Sequence, residues 1–306
     1  MTRKFWLVGA LLAGAAMAGT AQADSTFIKP SATILSGTDN TVTFDAAGSD
    51  HVFALDHRPV PLATIRITRP DGTAAQLVNG VQQRLRSAFD ARLDQEGTWR
   101  VASEQVMVGG TFMLDGEQRR AGGRGGPASP GMAGMATPGQ GASGIGGPGA
   151  ETRRGEGGAV RLPPVAVADI PANATDVHLT ETITRAETFV TVGAPSELKP
   201  EGKGLAFDPL TQPNSLAQGE TARLRYLIDG QPAAGVRVTV VADGVRYRES
   251  VKAMELTTGK DGTVSITWPG AGLYWVGAEA EDRNPSEKKA ETRKMMTSVT
   301  LEVMTP

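Results

Sequence analysis

The sequence predicts an all-β protein of two β-sandwich lobes with a disordered Gly/Pro-rich insertion. Three observations predict it. Short runs rich in β-branched and aromatic residues alternate with polar positions and are separated by Gly, Pro, Asn and Asp. Landmarks in the first half recur in the same order in the second. A long segment between them has a composition from which no core can be built.

The chain opens with Met1-Thr2-Arg3-Lys4, an uncharged apolar stretch from Phe5 to Gly19, and Ala21-Gln22-Ala23 before Asp24. This is the pattern of a signal peptide at 1–23 with cleavage after Ala23, and the apolar stretch is short for a bilayer crossing. The expected location is the periplasm, with no membrane span left after cleavage and Asp24 as the mature N-terminus. Losing Arg3 and Lys4 leaves 29 Lys and Arg against 33 Asp and Glu, a formal net charge of −4. That mildly acidic balance argues against a nucleic-acid partner. Cysteine is absent, which excludes disulfides, thiolate metal sites, cysteine nucleophiles and a lipid-anchored cysteine.

Strands are expected at Thr41 to Ala46, Thr64 to Thr68 and Thr98 to Ala102, then at Arg223 to Ile228, Val236 to Val241, Val264 to Trp268 and Leu273 to Ala278. The first three belong to an N-terminal lobe at 24–120. The segment 121–158 follows, half of its 38 residues Gly or Pro, and is the disordered insertion. Its Met132 and Met135 are too poorly preorganised for a copper site. Strands at 159–200 complete the N-terminal lobe, and in them the alternating charges of Glu181, Arg185 and Glu187 read as a solvated face. The C-terminal lobe occupies 201–306.

The lobes resemble each other. A turn at Gly37 leads into the Thr41 strand as Gly219 leads into the strand after Thr221. Asp71-Gly72-Thr73 matches Asp261-Gly262-Thr263, and each half closes with a glycine-led aromatic strand, Glu96-Gly-Thr-Trp-Arg-Val101 in one and Gly270-Ala-Gly-Leu-Tyr-Trp-Val276 in the other. Such an arrangement is that of immunoglobulin-like or transthyretin-like sandwiches. Tyr247, Trp268, Tyr274 and Trp275 are expected in core and hairpin packing.

The chemistry available is narrow. With histidine only at positions 51, 57 and 178, and no nucleophile-elbow, zinc-protease or phosphate-loop motif in the mature chain, the sequence predicts a protein that is not an enzyme. The one suggestive constellation is Asp50-His51 followed by Asp56-His57. Six residues of extended strand span about 20 Å, so both imidazoles reach one ion only if the chain turns between them. Imidazole and carboxylate together suit nickel, cobalt, zinc or iron. The alternative is that they are exposed polar residues at strand ends. His178, between Val177 and Leu179, reads as an outward-facing strand residue.

Four segments carry a family resemblance: Thr188-Phe-Val-Thr-Val-Gly193, Lys203-Gly-Leu205, Asp208-Pro-Leu-Thr-Gln-Pro-Asn214 with Gly219 behind it, and Gly270-Ala-Gly-Leu-Tyr-Trp275. They resemble bacterial periplasmic proteins of unknown function associated with nickel and cobalt transport, the NikM-like family. The resemblance covers the mature chain apart from the insertion. It implies two sandwich-like lobes and a place beside transition-metal or siderophore uptake, with an inner-membrane transporter or outer-membrane receptor as partner. It also implies metal contacts at His57, helped by Asp56, His51 or the amino group of Asp24. The chain departs from the family where relatives carry an N-terminal histidine, here Asp24, and where they read His-Pro-Asn, here with Gln212. The alternative to metal uptake is a sandwich module that docks on a transporter or reductase and holds no metal.

Overall fold

A computed structural model describes residues 25–37, 39–123 and 164–306. The expected signal peptide, Asp24, Met132, Met135 and the insertion from position 124 onward lie outside the described residues. Twenty strands lie within them. The first ten are β1 (Ser25–Pro30), β2 (Ile34–Leu35), β3 (Asn40–Ser49), β4 (Arg58–Pro59), β5 (Ile65–Thr68), β6 (Ala74–Ala75), β7 (Val78–Gln82), β8 (Ser87–Leu93), β9 (Gly97–Leu114) and β10 (Glu117–Gly123). The others are β11 (Thr175–Val192), β12 (Leu205–Pro209), β13 (Leu216–Ala217), β14 (Thr221–Ile228), β15 (Gln231–Pro232), β16 (Arg237–Ala242), β17 (Met254–Thr257), β18 (Thr263–Thr267), β19 (Gly272–Asp282) and β20 (Thr292–Met304). No α-helix occurs among the described residues. All seven expected strands are present.

The two lobes repeat one topology. In the first, β1-β3-β8 faces β6-β5-β9-β11; in the second, β12-β14-β18 faces β17-β16-β19-β20. The register fixes the correspondence residue by residue. Leu35 pairs in parallel with Val192, which pairs with Gly97. Leu216 pairs in parallel with Val303, which pairs with Gly272. Gly97 (φ 122°) and Gly272 (φ 131°) occupy the same left-hand side of backbone space, where a side chain is strained. Two residues on, Trp99 Nε1 donates to the Gln95 carbonyl at 3.0 Å and the Tyr274 hydroxyl donates to the Gly270 carbonyl at 2.8 Å. A buried aromatic that bonds back to the corner before its strand is an immunoglobulin-type feature. The Asp-Gly landmark behaves differently. Both turns have the same internal bonds, but the first joins β5 to β6 and the second leads from β17 into β18, so they are one turn used at two places in the topology.

The lobes share a sheet. β11 pairs in parallel with β20 from Thr180↔Thr292 to Thr188↔Thr300, which fuses the two four-stranded layers into one continuous sheet. Successive side chains of a strand point to opposite faces. Ala186, Val190 and Val192 of β11 enter the first core with Phe44, Phe89 and Trp99, whereas Ile183 and Phe189 enter the second with Phe207, Tyr226 and Trp268. The sandwiches therefore lie on opposite faces of the shared sheet. A half-turn about an axis along the strands keeps strand direction and exchanges faces, which is the relation between these repeats.

Three expectations are corrected here. Glu181, Arg185 and Glu187 are buried rather than solvated, because their face of β11 is covered by Ser286, Gly202 and the second core, while the half-buried Thr182 and Thr184 lie on the opposite face. The insertion begins later than position 121, since Ala121 to Gly123 belong to β10, where Ala121 packs against Phe112 and Leu179. Trp268 and Tyr274 are buried as expected, but Tyr247 is exposed on a surface turn.

Candidate functional site

The Asp50–His57 loop leaves β3 and is closed where Arg58 and Pro59 pair with Gly48 and Ala47. The chain turns between the two Asp-His pairs, and they cross. His51 Nδ1 lies 2.9 Å from Asp56 Oδ2, while Asp56 Oδ1 accepts the Asp50 amide at 3.0 Å. In the reciprocal pair His57 Nδ1 lies 3.8 Å from Asp50 Oδ1. Each carboxylate thus serves the other pair's imidazole. A ring held by a carboxylate at Nδ1 presents Nε2 as its ligating atom, the arrangement by which proteins orient metal-binding histidines. His51 and His57 are 63% and 43% exposed, so the loop is open to solvent.

The turn is held by strain that packing offsets. Phe53 has φ 61°, a region that a bulky residue rarely occupies and that costs about 1–3 kcal/mol. Its ring packs edge-on to Phe27 at 5.2 Å and lies beneath the Lys29 ammonium at 5.6 Å. Val52 beside it enters a small cluster with Val241 and Val245 of the second lobe. The loop is pinned where the lobes meet.

Partial burial works to raise the Asp56 carboxyl, but the hydrogen bond and charge of His51 and the Asp50 amide outweigh it and hold it below the ordinary value. The stabilisation from this tie is present above the ordinary carboxylate range and is lost as pH falls through the depressed folded value. A carbon-13 NMR titration is expected to place the Asp56 midpoint below that of a free aspartate and to move it upward in His51→Ala. An unchanged midpoint in the variant would contradict the crossed pairing.

The other sequence candidates lie elsewhere. His178 is exposed on β11, 3.1 Å from Glu291, whose hydrogen bond and charge raise it. Gln212 donates to Thr98 Oγ1 at 3.0 Å and to the Ser196 carbonyl at 3.1 Å, and Asn214 beside it bonds the carbonyls of Thr33 and Phe189. Those two residues tie the connector between β11 and β12, residues 193–204, and the second lobe to the first. Among the described residues no group of three or more His, Asp or Glu side chains converges to hold a metal ion. The crossed loop therefore supplies one imidazole, His51, oriented by a carboxylate, with His57 on the same turn, and needs further donors to close a coordination shell.

Sequence reasoning missed a second cluster, on the face of β9 and β11 turned from the first core. Glu187, 1% exposed, lies 3.1 Å from Arg185 and 3.3 Å from Arg100, and both guanidinium groups are themselves buried. Arg185 also meets Glu104 at 3.1 Å, and Arg100 meets Glu201 at 2.7 Å. Burial alone would lower the Arg185 guanidinium, yet Glu187 and Glu104 hold it raised. Tyr226, buried nearby, is pushed far up by burial and by the Glu187 charge.

A family model described as "Domain of unknown function (DUF4198)" matches residues 21–282. The chain belongs to this family. No curated protein matches it. Solved structures similar to this DUF4198 chain include a DUF4785 family protein from Legionella pneumophila, 8% identical over 82% of this chain and 50% of that one, with a TM-score of 0.21. The native conformation of Escherichia coli alpha-2-macroglobulin is 11% identical over 92% and 14% of the two chains, with a TM-score of 0.21. The ectodomain of mouse nectin-like molecule 4 is 9% identical over 93% and 65%, with a TM-score of 0.19. The chain spans half the length of the Legionella protein. The DUF4198 match takes in both the crossed loop and the buried arginine cluster. No helix among the described residues is long and apolar enough to cross a membrane.

Proposed function

We propose that the chain is a non-enzymatic periplasmic accessory of transition-metal uptake that binds a divalent ion, nickel, cobalt, zinc or iron, at the Asp50–His57 loop. The observation that carries this reading is the crossed pairing, which brings two imidazoles onto one turn and orients His51 through a carboxylate. The position of β1 supports it. Ser25 pairs with Ser49, immediately before the Asp50-His51 pair, so β1 begins beside the loop. Imidazole and carboxylate together are ligand types suited to these ions.

Calorimetric titration of the chain from Asp24 with Ni²⁺, Co²⁺, Zn²⁺ and Fe³⁺ tests the proposal. At least one divalent ion is expected to bind more tightly than millimolar, and His51→Ala and His57→Ala are each expected to weaken it at least tenfold. Binding that neither variant changes, or no binding at all, rules the loop out.

A further inference from the structure

The arginine cluster borders a depression whose origin is legible in the strand register. Across β5, β9 and β11, Arg66 stands abreast of Ala102 and Ala102 abreast of Glu187, with Thr68 beside Arg100 and Glu104 beside Arg185. Abreast residues share a face. Ala102 is the small residue in the middle of that face, and larger polar side chains surround its methyl group. The depression is roofed by the connector between the lobes. From it Glu201 reaches down to Arg100 at 2.7 Å and approaches Arg185 at 4.0 Å, while Arg100 also donates to the Lys199 carbonyl at 2.6 Å.

Cavities lie on both sides of Glu201. One, about 290 Å³, is lined by Arg66, Thr68, Ala102, Glu104 and Arg185; the other, about 160 Å³, by Thr68, Asp71, Arg100, Glu197 and Lys199. Of the carboxylates that line them, Glu104 and Glu201 are the ones that meet the buried arginines. Two buried guanidinium groups have only Glu187 as a buried counter-charge, and the balance comes from the rim, from Glu104 and Glu201. Glu104 belongs to the sheet and is fixed by its register. Glu201 belongs to the connector, is 44% exposed, and is followed by Gly202 at φ 103°, where a Cβ would come within 2.9 Å of Arg185 Nη1. That glycine lets the connector sit close enough to place a carboxylate on the arginines without binding it to the sheet.

We propose that this depression is a binding site for a small carboxylate-bearing molecule, and that Glu201 is the internal carboxylate that such a ligand displaces. Arg66, Arg100 and Arg185 supply the planar donors that recognise a carboxylate in two-point fashion, and Thr68 supplies a hydroxyl. Displacing Glu201 releases the connector, so occupancy of the site is coupled to the junction between the lobes.

Sodium succinate serves as the probe, with sodium chloride at matched ionic strength as the control. The wild-type chain is expected to bind succinate weakly, and Glu201→Ala, which empties the site, at least tenfold more tightly by calorimetry. Arg66→Gln, an exposed residue whose loss leaves the fold intact, is expected to weaken binding to the Glu201→Ala chain at least threefold. Succinate is also expected to speed tryptic cleavage after Lys203 in the wild-type chain as the connector lifts. Equal affinities in the wild type and Glu201→Ala, a chloride effect as large as that of succinate, or cleavage unchanged by succinate would each overturn the proposal.

Discussion

Glu187→Gln is expected to destabilise the folded chain by about 3–5 kcal/mol, the cost of removing the buried partner from an ion-pair cluster and leaving two buried guanidinium groups with counter-charge only at the rim. Glu187 stands between Arg100 and Arg185, and both arginines are too buried for water to take over its role. The glutamine keeps the volume and removes only the charge, so the effect reports electrostatics rather than a cavity. Urea denaturation followed by circular dichroism measures it. A change below about 1 kcal/mol would mean that Glu201 and Glu104, which already meet Arg100 and Arg185, are counter-charge enough without Glu187.

The second large effect is expected at Trp99→Ala. Trp99 is fully buried in the first core, and truncating a buried tryptophan costs about 3–5 kcal/mol through lost burial and the cavity left behind. The manner of the loss is more informative than its size. Because β11 contributes Val190 to the first core and Phe189 to the second, damage to one sandwich reaches the other through a single strand. Heating is therefore expected to give one transition in the variant, shifted as a whole. Two separated transitions, the later at the wild-type position, would show that the lobes unfold independently across their shared sheet.

How much of this was legible in the sequence follows from where each segment lies. β5, β14 and β18 each have one face on a core and one on solvent, so Ile-Arg-Ile-Thr, Thr-Ala-Arg-Leu-Arg-Tyr and Thr-Val-Ser-Ile-Thr alternate and declare themselves. β9 and β11 run past two cores. Alternation along them distinguishes one core from the other rather than inside from outside, which is why both extend far beyond the runs the pattern marks out. Arg185 and Glu187 looked solvated because a charge is tolerated inside only with a partner. Arg100, the partner of Glu187, and Glu104, a partner of Arg185, are distant in sequence and reach them through strand pairing.

The glycine-led aromatic strands were the truest sign of the repeat, since Gly97 and Gly272 answer the same backbone demand. The matching Asp-Gly turns were a weaker sign, because any hairpin of that shape recruits them. At the candidate site, the residue types and the even spacing of His51 and His57 were readable. The crossing of the two pairs was not. It depends on Phe53 turning the backbone and on Phe27 and Lys29 holding the ring, contacts that no local pattern encodes.

The chain has three histidines, so a spectrum of nitrogen-15-labelled histidine resolves the central question side chain by side chain. On titration of the chain from Asp24 with Zn²⁺, which is diamagnetic, the ring nitrogens of His51 and His57 are expected to shift together and saturate at one equivalent, while His178 stays still. Shifts at His178 as large as those of the loop, or three histidines that do not respond, would contradict a metal site on the crossed loop.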